Sequence, residues 1–110
     1  MENHNNVTSV YCTVCGFYLG VPGWFFDVEY GNQYHANYDV ICPSCGTQFG
    51  AEDWAETKEE VMKNHRKLRK LWIEENMQWQ SKTEQSPPNW NPLEQLKNIP
   101  KELLGPDENY

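Results

Sequence analysis

The sequence predicts one small α+β domain, with short strands in its first half and helices in its second. Three observations indicate this class. The motif Cys-x2-Cys-Gly occurs twice, at Cys12–Gly16 and at Cys42–Gly46. Residues 10–50 are rich in aromatic and β-branched side chains interrupted by Gly, Pro and Asn, which favours short strands. From about residue 57 the apolar residues recur at helical spacing instead.

The strands are predicted between the polar start of the chain and the second cysteine motif. Residues 1–9 show no apolar periodicity and are expected to form a disordered lead-in. The segment Phe26–Tyr30 alternates apolar with acidic residues, which is typical of a strand with one face in solvent. A turn is expected directly after it, at Gly31-Asn32. The predicted strands are Thr8–Tyr11, Trp24–Tyr30 and Tyr38–Ile41.

A long helix is predicted to begin at Thr57, because Thr57 and Glu60 have the spacing of a capping box. Trp72 and Trp79 continue its apolar face, and no proline interrupts it before Pro87. The helix is therefore expected to run for about 20 residues.

The last part of the chain is expected to hold one short amphipathic helix and a tail. Apolar residues recur three apart in Leu93–Ile99, after a proline-rich connector. Residues 10–104 are therefore expected to form the domain, and residues 105–110 a frayed tail.

The two cysteine motifs predict a structural zinc site held in zinc-ribbon-like β-hairpins. The spacing is Cys-x2-Cys, 26 residues and Cys-x2-Cys, with a glycine after each pair. Zinc takes four thiolates in a tetrahedron, and a two-residue spacer lets one tight turn supply two of them. Four thiolates leave no coordination position open for catalysis, so the metal is expected to support the fold. The predicted ligands are Cys12, Cys15, Cys42 and Cys45.

Other roles for these cysteines agree less well with the sequence. A redox Cys-x2-Cys pair belongs to a βαβ pattern, which the sequence does not show. Disulfides require export, whereas the polar N-terminus has no signal segment and predicts a reducing cytoplasm. No apolar run approaches the length of a membrane span. His35 is an alternative ligand, but four thiolates already complete the tetrahedron.

The chain is acidic, with 16 acidic and 9 basic residues and a net charge of −7. Five of the basic residues lie in Lys63–Lys70, which contains no acidic residue and which we call the basic stripe; the rest of the chain carries −12. Net acidity disfavours general nucleic-acid binding. The stripe is expected to be a solvated helix face, with contact to phosphate or to an acidic protein surface as the alternative.

Aromatic residues are abundant, with 5 tryptophans and 6 tyrosines. Most are expected in the core, where Trp72 and Trp79 pack the helix against the ribbon. Others, with Phe25 and Tyr34 in the insert between the cysteine motifs, are expected to be exposed. Aromatic anchors on an acidic surface suit the capture of a basic protein. No Ser/His/Asp or Cys/His arrangement can be argued from the spacing, so no enzymatic activity is predicted. The predicted partner-binding residues are Trp24, Phe25, Asp27, Glu29 and Tyr34.

Four segments of the chain resemble the small bacterial cysteine-rich proteins of the CPCC type: YCTVCGFYLG, YDVICPSCGTQFGAED, LRKLWIEENMQW and PPNWNPLEQLKNI. Those proteins join two Cys-Pro-x-Cys-Gly-like motifs to a Trp-bearing helix and a Pro-x-Trp…Gln-Leu tail. This chain differs in having Thr13 in place of the first proline and a longer aromatic insert. The resemblance implies metal binding by the four cysteines. It also implies a role as an immunity partner of a polymorphic or contact-dependent growth-inhibition toxin.

The leading hypothesis is therefore a cytoplasmic, zinc-stabilised immunity protein that neutralises a cognate, basic toxin domain by covering it. One alternative is a zinc-ribbon module that binds nucleic acid, or acts in transcription, through the basic stripe. A second alternative is a zinc-stabilised adaptor inside a larger assembly.

Overall fold

The computed structural model describes residues 10–27 and 33–110, and its small α+β architecture agrees with the predicted class. In these residues a two-stranded antiparallel sheet is followed by helices. The elements are β1 (Trp24–Asp27), β2 (Gln33–Ala36), α1 (Lys58–Glu74), α2 (Pro92–Gln95) and single 3-10 turns at Leu96–Asn98 and Lys101–Leu103.

The insert between the two cysteine motifs contains a β-hairpin. β1 and β2 pair with Trp24 opposite Ala36 and Phe25 opposite His35. The predicted strand that begins at Trp24 is confirmed over β1. Its predicted continuation and the predicted turn fall in residues 28–32, which lie outside the described ranges.

The predicted strand at Tyr38–Ile41 is wrong. The Asn37 N–H donates to the Gly23 carbonyl at 2.8 Å and closes the hairpin, and the chain then turns at residues 38–39. Ile41 instead forms an isolated bridge with Gln48, and the two residues flank the second cysteine motif. The strand that pairs with β1 therefore comes earlier in the sequence than predicted.

Each cysteine motif folds as a tight turn closed by an isolated β-bridge. We call residues 11–18 the first knuckle and residues 41–48 the second knuckle. The bridge of the first knuckle joins Tyr11 to Tyr18. The strand predicted at Thr8–Tyr11 has its first two residues outside the described ranges. In its described part, this bridge is the only strand pairing that forms.

The main helix, α1, begins as predicted and ends earlier than predicted. The Thr57 side-chain oxygen accepts the Glu60 N–H at 3.2 Å, which caps the first turn. After the last turn, residues 76–77 adopt left-handed φ angles of 71° and 52°, and the second of them donates its N–H to the Trp72 carbonyl at 2.9 Å. Such a bond satisfies a free carbonyl and ends a helix. The prediction that Trp79 lies on the helix is therefore wrong.

One face of α1 is buried against the knuckles and the hairpin. Its members are Val61, His65, Arg69 and Trp72, spaced three or four residues apart as one helical face requires. Val61 and Trp72 join the cysteines and the hairpin aromatics in the core. Arg69 is fully buried, so the solvated face expected for the whole basic stripe is wrong at this position.

The predicted second helix is confirmed in outline. α2 begins at a cap in which the Asn91 side chain accepts the N–H groups of Leu93 and Glu94, and a 3-10 turn continues it. Leu96 and Ile99 are buried, as their spacing predicts, whereas Leu93 is 60% exposed. Because the α-helical part has only four residues, its apolar face is shorter than the pattern suggested.

Residues 105–110 are not a frayed tail. The Glu108 carboxylate accepts the Arg69 Nε–H at 3.1 Å, the Gly105 N–H at 2.7 Å and the Tyr110 hydroxyl at 3.0 Å. Gly105 is buried. The segment is ordered because one carboxylate joins three groups, a contact that sequence periodicity does not reveal.

Candidate metal centre

Both knuckles position their cysteines through the same backbone hydrogen bonds. In the first knuckle the Gly16 N–H donates to the Cys12 carbonyl at 2.7 Å, and the Cys12 N–H donates to the Phe17 carbonyl at 2.7 Å. The second knuckle repeats these bonds at 2.7 and 2.9 Å. Gly16 and Gly46 have φ angles of +88° and +83°, the left-handed region that favours glycine. The duplicated sequence motif is therefore a duplicated backbone structure.

The two knuckles bring the four cysteine Sγ atoms together, all within 4.8 Å of one another. Cys12 Sγ lies 3.7 Å from Cys45 Sγ, and Cys15 Sγ lies 3.6 Å from Cys42 Sγ. A tetrahedral ion with metal–sulfur bonds of about 2.3 Å requires sulfur atoms about 3.8 Å apart. All four cysteines are free thiols. The cluster fits a four-coordinate metal ion, as the spacing predicted.

The protonation of the cluster also favours a bound cation. Burial raises the pKa of the Cys12 and Cys15 thiols. Burial acts in the same direction on Cys45, but hydrogen bonds from the other three thiols and from Thr47 outweigh it and lower the pKa of Cys45. Each further thiolate in this buried cluster is opposed by desolvation and by repulsion from the thiolates beside it. A divalent cation removes that obstacle, because thiolate ligands are deprotonated when they bind.

His35 does not join the cluster. Its ring stacks on Phe25, with the ring centroids 4.9 Å apart. Among the described residues, only the four cysteines form a group of three or more His, Cys, Asp or Glu side chains that could hold a metal ion. This agrees with the expectation that His35 is not a ligand.

A glutamine far along the chain joins the two knuckles. Gln95 Nε2 donates to the Cys15 carbonyl at 3.1 Å and to the Ser44 hydroxyl at 3.0 Å. Its carbonyl oxygen accepts the Trp90 indole N–H at 2.7 Å, which fixes the orientation of the amide. Nearby, Asn98 Nδ2 donates to the Gly16 carbonyl at 3.1 Å. α2 and the turn after it therefore cover the first knuckle and bridge to the second.

Sequence reasoning missed Gln95, although the residue lies in the Gln-Leu tail that carries part of the resemblance. Its burial and its three hydrogen bonds show why a glutamine suits this position, since only an amide side chain offers two donors and an acceptor together.

A buried polar network ties the first knuckle to α1 and the hairpin. Thr13 Oγ1 accepts the Trp24 indole N–H at 2.7 Å and lies 2.9 Å from His65 Nδ1. His65 Nε2 lies 2.6 Å from Asp53 Oδ2, which also accepts the Tyr34 hydroxyl at 2.7 Å. Three segments of the chain are thus joined through one hydroxyl, one imidazole and one carboxylate.

The order hydroxyl, imidazole, carboxylate is also that of a hydrolytic triad, but here it is inside the protein. Thr13 is 2% exposed and its oxygen is occupied by the Trp24 indole. Burial acts to raise the pKa of Asp53, but hydrogen bonds and charge interaction with His65 and a hydrogen bond from Tyr34 outweigh it and lower that pKa. The network therefore acts as a structural tie, and no sequence spacing predicted it.

Two of the five predicted partner-binding residues in the insert are buried. Trp24 is 3% exposed and Tyr34 is 8% exposed, so the exposure expected for them is wrong. Both side chains point inward because each donates to the buried network. Phe25 is half-buried, the side chain of Asp27 is not described, and Glu29 lies outside the described ranges.

An exposed aromatic residue with acidic neighbours lies elsewhere, just before α1. Trp54 is 54% exposed. Four carboxylates close to it in the chain are exposed as well, and we call the whole set the acidic rim: Glu52, Trp54, Glu56, Glu59 and Glu60. The sequence predicted an acidic surface with an exposed aromatic residue, but at the insert and not before α1.

The exposed part of the basic stripe lines a groove of about 590 Å³ between α1 and residues 105–110. Its cations are Lys63, Arg66, Lys67 and Lys70. Carboxylates of Glu74, Asp107 and Glu108 line the same groove, and so do Ile73, Pro106 and Tyr110. The stripe is therefore a mixed surface with several acidic neighbours.

No family model, curated protein or solved structure matches the chain. Its resemblance to the CPCC-type proteins therefore stays a prediction. Across residues 10–27 and 33–110, none of the helices combines the length and the apolar character that crossing a membrane requires.

Proposed function

We propose that this protein is a zinc-stabilised module that binds a basic protein partner. The observation that carries the metal part of the proposal is the convergence of the four cysteine Sγ atoms within 4.8 Å, supplied by two matching knuckles. Zinc is the ion proposed because a tetrahedral set of four thiolates suits zinc, and because zinc in such closed sites is structural. Reduced thiols are retained in the cytoplasm, which is the compartment we propose.

The partner surface we propose is the acidic rim. Large aromatic side chains dominate the energetics of protein interfaces, and Trp54 is the exposed tryptophan of this surface. The exposed carboxylates close to it in the chain attract a basic partner and speed its association. The net charge of −7 acts in the same direction over longer distances.

The specific role we propose is that of an immunity protein that covers a cognate bacterial toxin domain. The resemblance to the CPCC-type proteins supports this role, and the acidic rim gives it a physical basis. Toxin domains that cleave nucleic acids present basic substrate grooves, and an acidic surface with an aromatic anchor is complementary to such a groove.

The alternative, nucleic-acid binding, is favoured by one observation, the four cations that line the groove beside α1. Three carboxylates line the same groove, and the chain outside the stripe carries −12. Both repel phosphate, so the protein-binding role is the better supported of the two.

The test of the proposed function is affinity purification of the chain from its native cell, followed by binding measurements with the purified partner. We expect a basic toxin domain, bound tightly by the wild type and at least tenfold more weakly by Trp54→Ala. Leu93→Ala is the matched control, because Leu93 is 60% exposed and lies outside the acidic rim. Recovery of polymerase or ribosomal components without a toxin-like polypeptide, or salt-sensitive binding to nucleic acid of any sequence, would overturn the proposal.

A further inference from the structure

Arg69 is an unusual residue of the described structure, a fully buried cation with part of its hydrogen-bonding capacity unused. Its exposed fraction is 0%. The guanidinium Nε–H donates to Glu108 Oε2 at 3.1 Å, but Nη1 and Nη2 are buried and have no hydrogen-bond partner. A buried polar group without a partner is costly, and a buried charge even more so. Glu108 offsets part of this cost, and the two Nη groups remain without a partner.

The position of Arg69 on α1 places it close to the first knuckle. His65 lies four residues earlier on the same buried face, so the two side chains are neighbours on the helix surface. The His65 Nδ1 atom lies 2.9 Å from the hydroxyl of Thr13, which follows Cys12 in the chain. Arg69 thus follows, one helical turn later on the same buried face, a residue that contacts the first knuckle.

The electrostatics agree with this placement. Burial lowers the pKa of Arg69, and charge interactions with Glu108, Tyr110 and Cys12 oppose that effect. Deprotonation of Cys12, which metal binding requires, therefore favours the charged form of Arg69.

Once the four cysteines hold a metal ion, the cluster needs a second positive charge nearby. Four thiolates around a divalent ion leave a net charge of −2, and three of the four cysteines are 0% exposed. Water cannot screen that charge as it would at the surface. His65, the other basic side chain on this buried face, already interacts with the Asp53 carboxylate.

We propose that Arg69 is the counter-cation of the loaded tetrathiolate centre, held in place by Glu108 of the C-terminal segment. The inference rests on the proposed metal centre and adds a residue that tunes its affinity. Groups outside the ligand set that orient or balance a metal site change metal affinity by about 10–100-fold when they are removed. The last residues of the chain are then linked to the metal through one ion pair, Arg69–Glu108.

The test is zinc affinity, measured by competition with a chromophoric chelator on the full chain. Arg69→Met removes the charge and keeps an unbranched apolar chain, and we expect it to weaken zinc binding by about tenfold or more. Lys67→Met is the matched control, because it removes the same charge from an exposed position of the same helix and should leave zinc affinity unchanged.

Arg69→Lys and Arg69→Gln separate charge from packing. If the positive charge supports zinc binding, Arg69→Lys binds zinc more tightly than the neutral variants Arg69→Met and Arg69→Gln. Folding of Arg69→Lys alone among the three variants in excess zinc would also support a role for the charge. Equal zinc affinity in the lysine and neutral variants, wild-type affinity in Arg69→Met, or failure of all three variants to fold would overturn the inference. A wild-type protein that binds no zinc would instead overturn the proposed metal centre.

Discussion

Gln95 Nε2 donates to the Ser44 hydroxyl at 3.0 Å, although the two residues are 51 positions apart in the chain. The same nitrogen donates to the Cys15 carbonyl, so one side chain contacts both knuckles. The arrangement of the four sulfur atoms therefore depends on a residue that is not a ligand.

Replacing Gln95 with alanine should destabilise the protein by about 2 kcal/mol, because it leaves the buried Ser44 hydroxyl and the Trp90 indole without partners. Urea unfolding monitored by circular dichroism measures the change. Gln85→Ala is the control, since Gln85 is exposed, and it should change the free energy of unfolding very little. Equal stability of the two variants would contradict the bridging role.

Removing the metal should unfold or loosen the knuckles. Structural zinc contributes on the order of 10–16 kcal/mol in small finger peptides, more than a core of this size supplies alone. We expect one zinc ion per chain by elemental analysis and a large fall in melting temperature in a strong chelator. Cys15→Ser and Cys42→Ser should reproduce the fall without chelator. If the purified protein contains no metal and its melting temperature does not change in chelator, the site is not a zinc site.

Two glycines allow backbone strain to be separated from crowding. A Cβ atom at Gly16 would lie 2.0 Å from the Gln95 carbonyl oxygen, whereas at Gly20 the nearest atom would be 3.7 Å away. Both residues have positive φ, +88° and +82°. Gly20→Ala should therefore cost about 1–2 kcal/mol from backbone strain alone, and Gly16→Ala should cost at least about 1–3 kcal/mol more because α2 must move.

Thermal unfolding of the two glycine variants measures this difference in excess zinc. A similar loss of stability in both would mean that α2 is not seated on the first knuckle as the structure has it.

The buried network should make stability depend on pH through Asp53. Its pKa in the folded protein is lowered from the ordinary value of 3.8, so its contribution is complete above 3.8 and is lost as the pH falls through the folded value. Asp53→Asn removes the charge that faces His65 and should cost about 1.5–3 kcal/mol near neutral pH. The difference between wild type and variant should shrink in acid.

Urea unfolding of both proteins from pH 3 to pH 7, in excess zinc, tests this expectation. Excess zinc is needed because acid also releases metal from thiolates. A difference between the two proteins that is the same at every pH would show that the carboxylate acts through packing and not through its charge.

Local features of the sequence predicted local structure well. The two Cys-x2-Cys-Gly motifs predicted both the turns and the convergence of their sulfur atoms, because the spacing and the glycine conformation are local requirements. Thr57 predicted the start of α1 for the same reason. The end of α1 was missed because Asn76 and Met77 stop the helix without a glycine or proline.

The tertiary relationships could not be read from the sequence. Thr13 and His65 are 52 residues apart, and nothing in their surroundings distinguishes them from surface residues. Trp24 and Tyr34 looked suited to an interface because of their residue type, but their polar atoms found partners in the core. Arg69 lies in a run of cations, and only its place on the helix face determines that it is buried.

The two knuckles also show how a repeated element can acquire separate neighbours. Their cysteines and glycines are equivalent, whereas the residues between the cysteines are Thr13 and Val14 in one and Pro43 and Ser44 in the other. The Thr13 hydroxyl contacts α1 through His65, and Ser44 contacts α2 through Gln95. Exchanging the two dipeptides would keep all four cysteine ligands but would remove the contact of the first knuckle with His65 and that of the second knuckle with Gln95. The identical residues of the motif define the metal centre, and the differing residues determine the asymmetry around it.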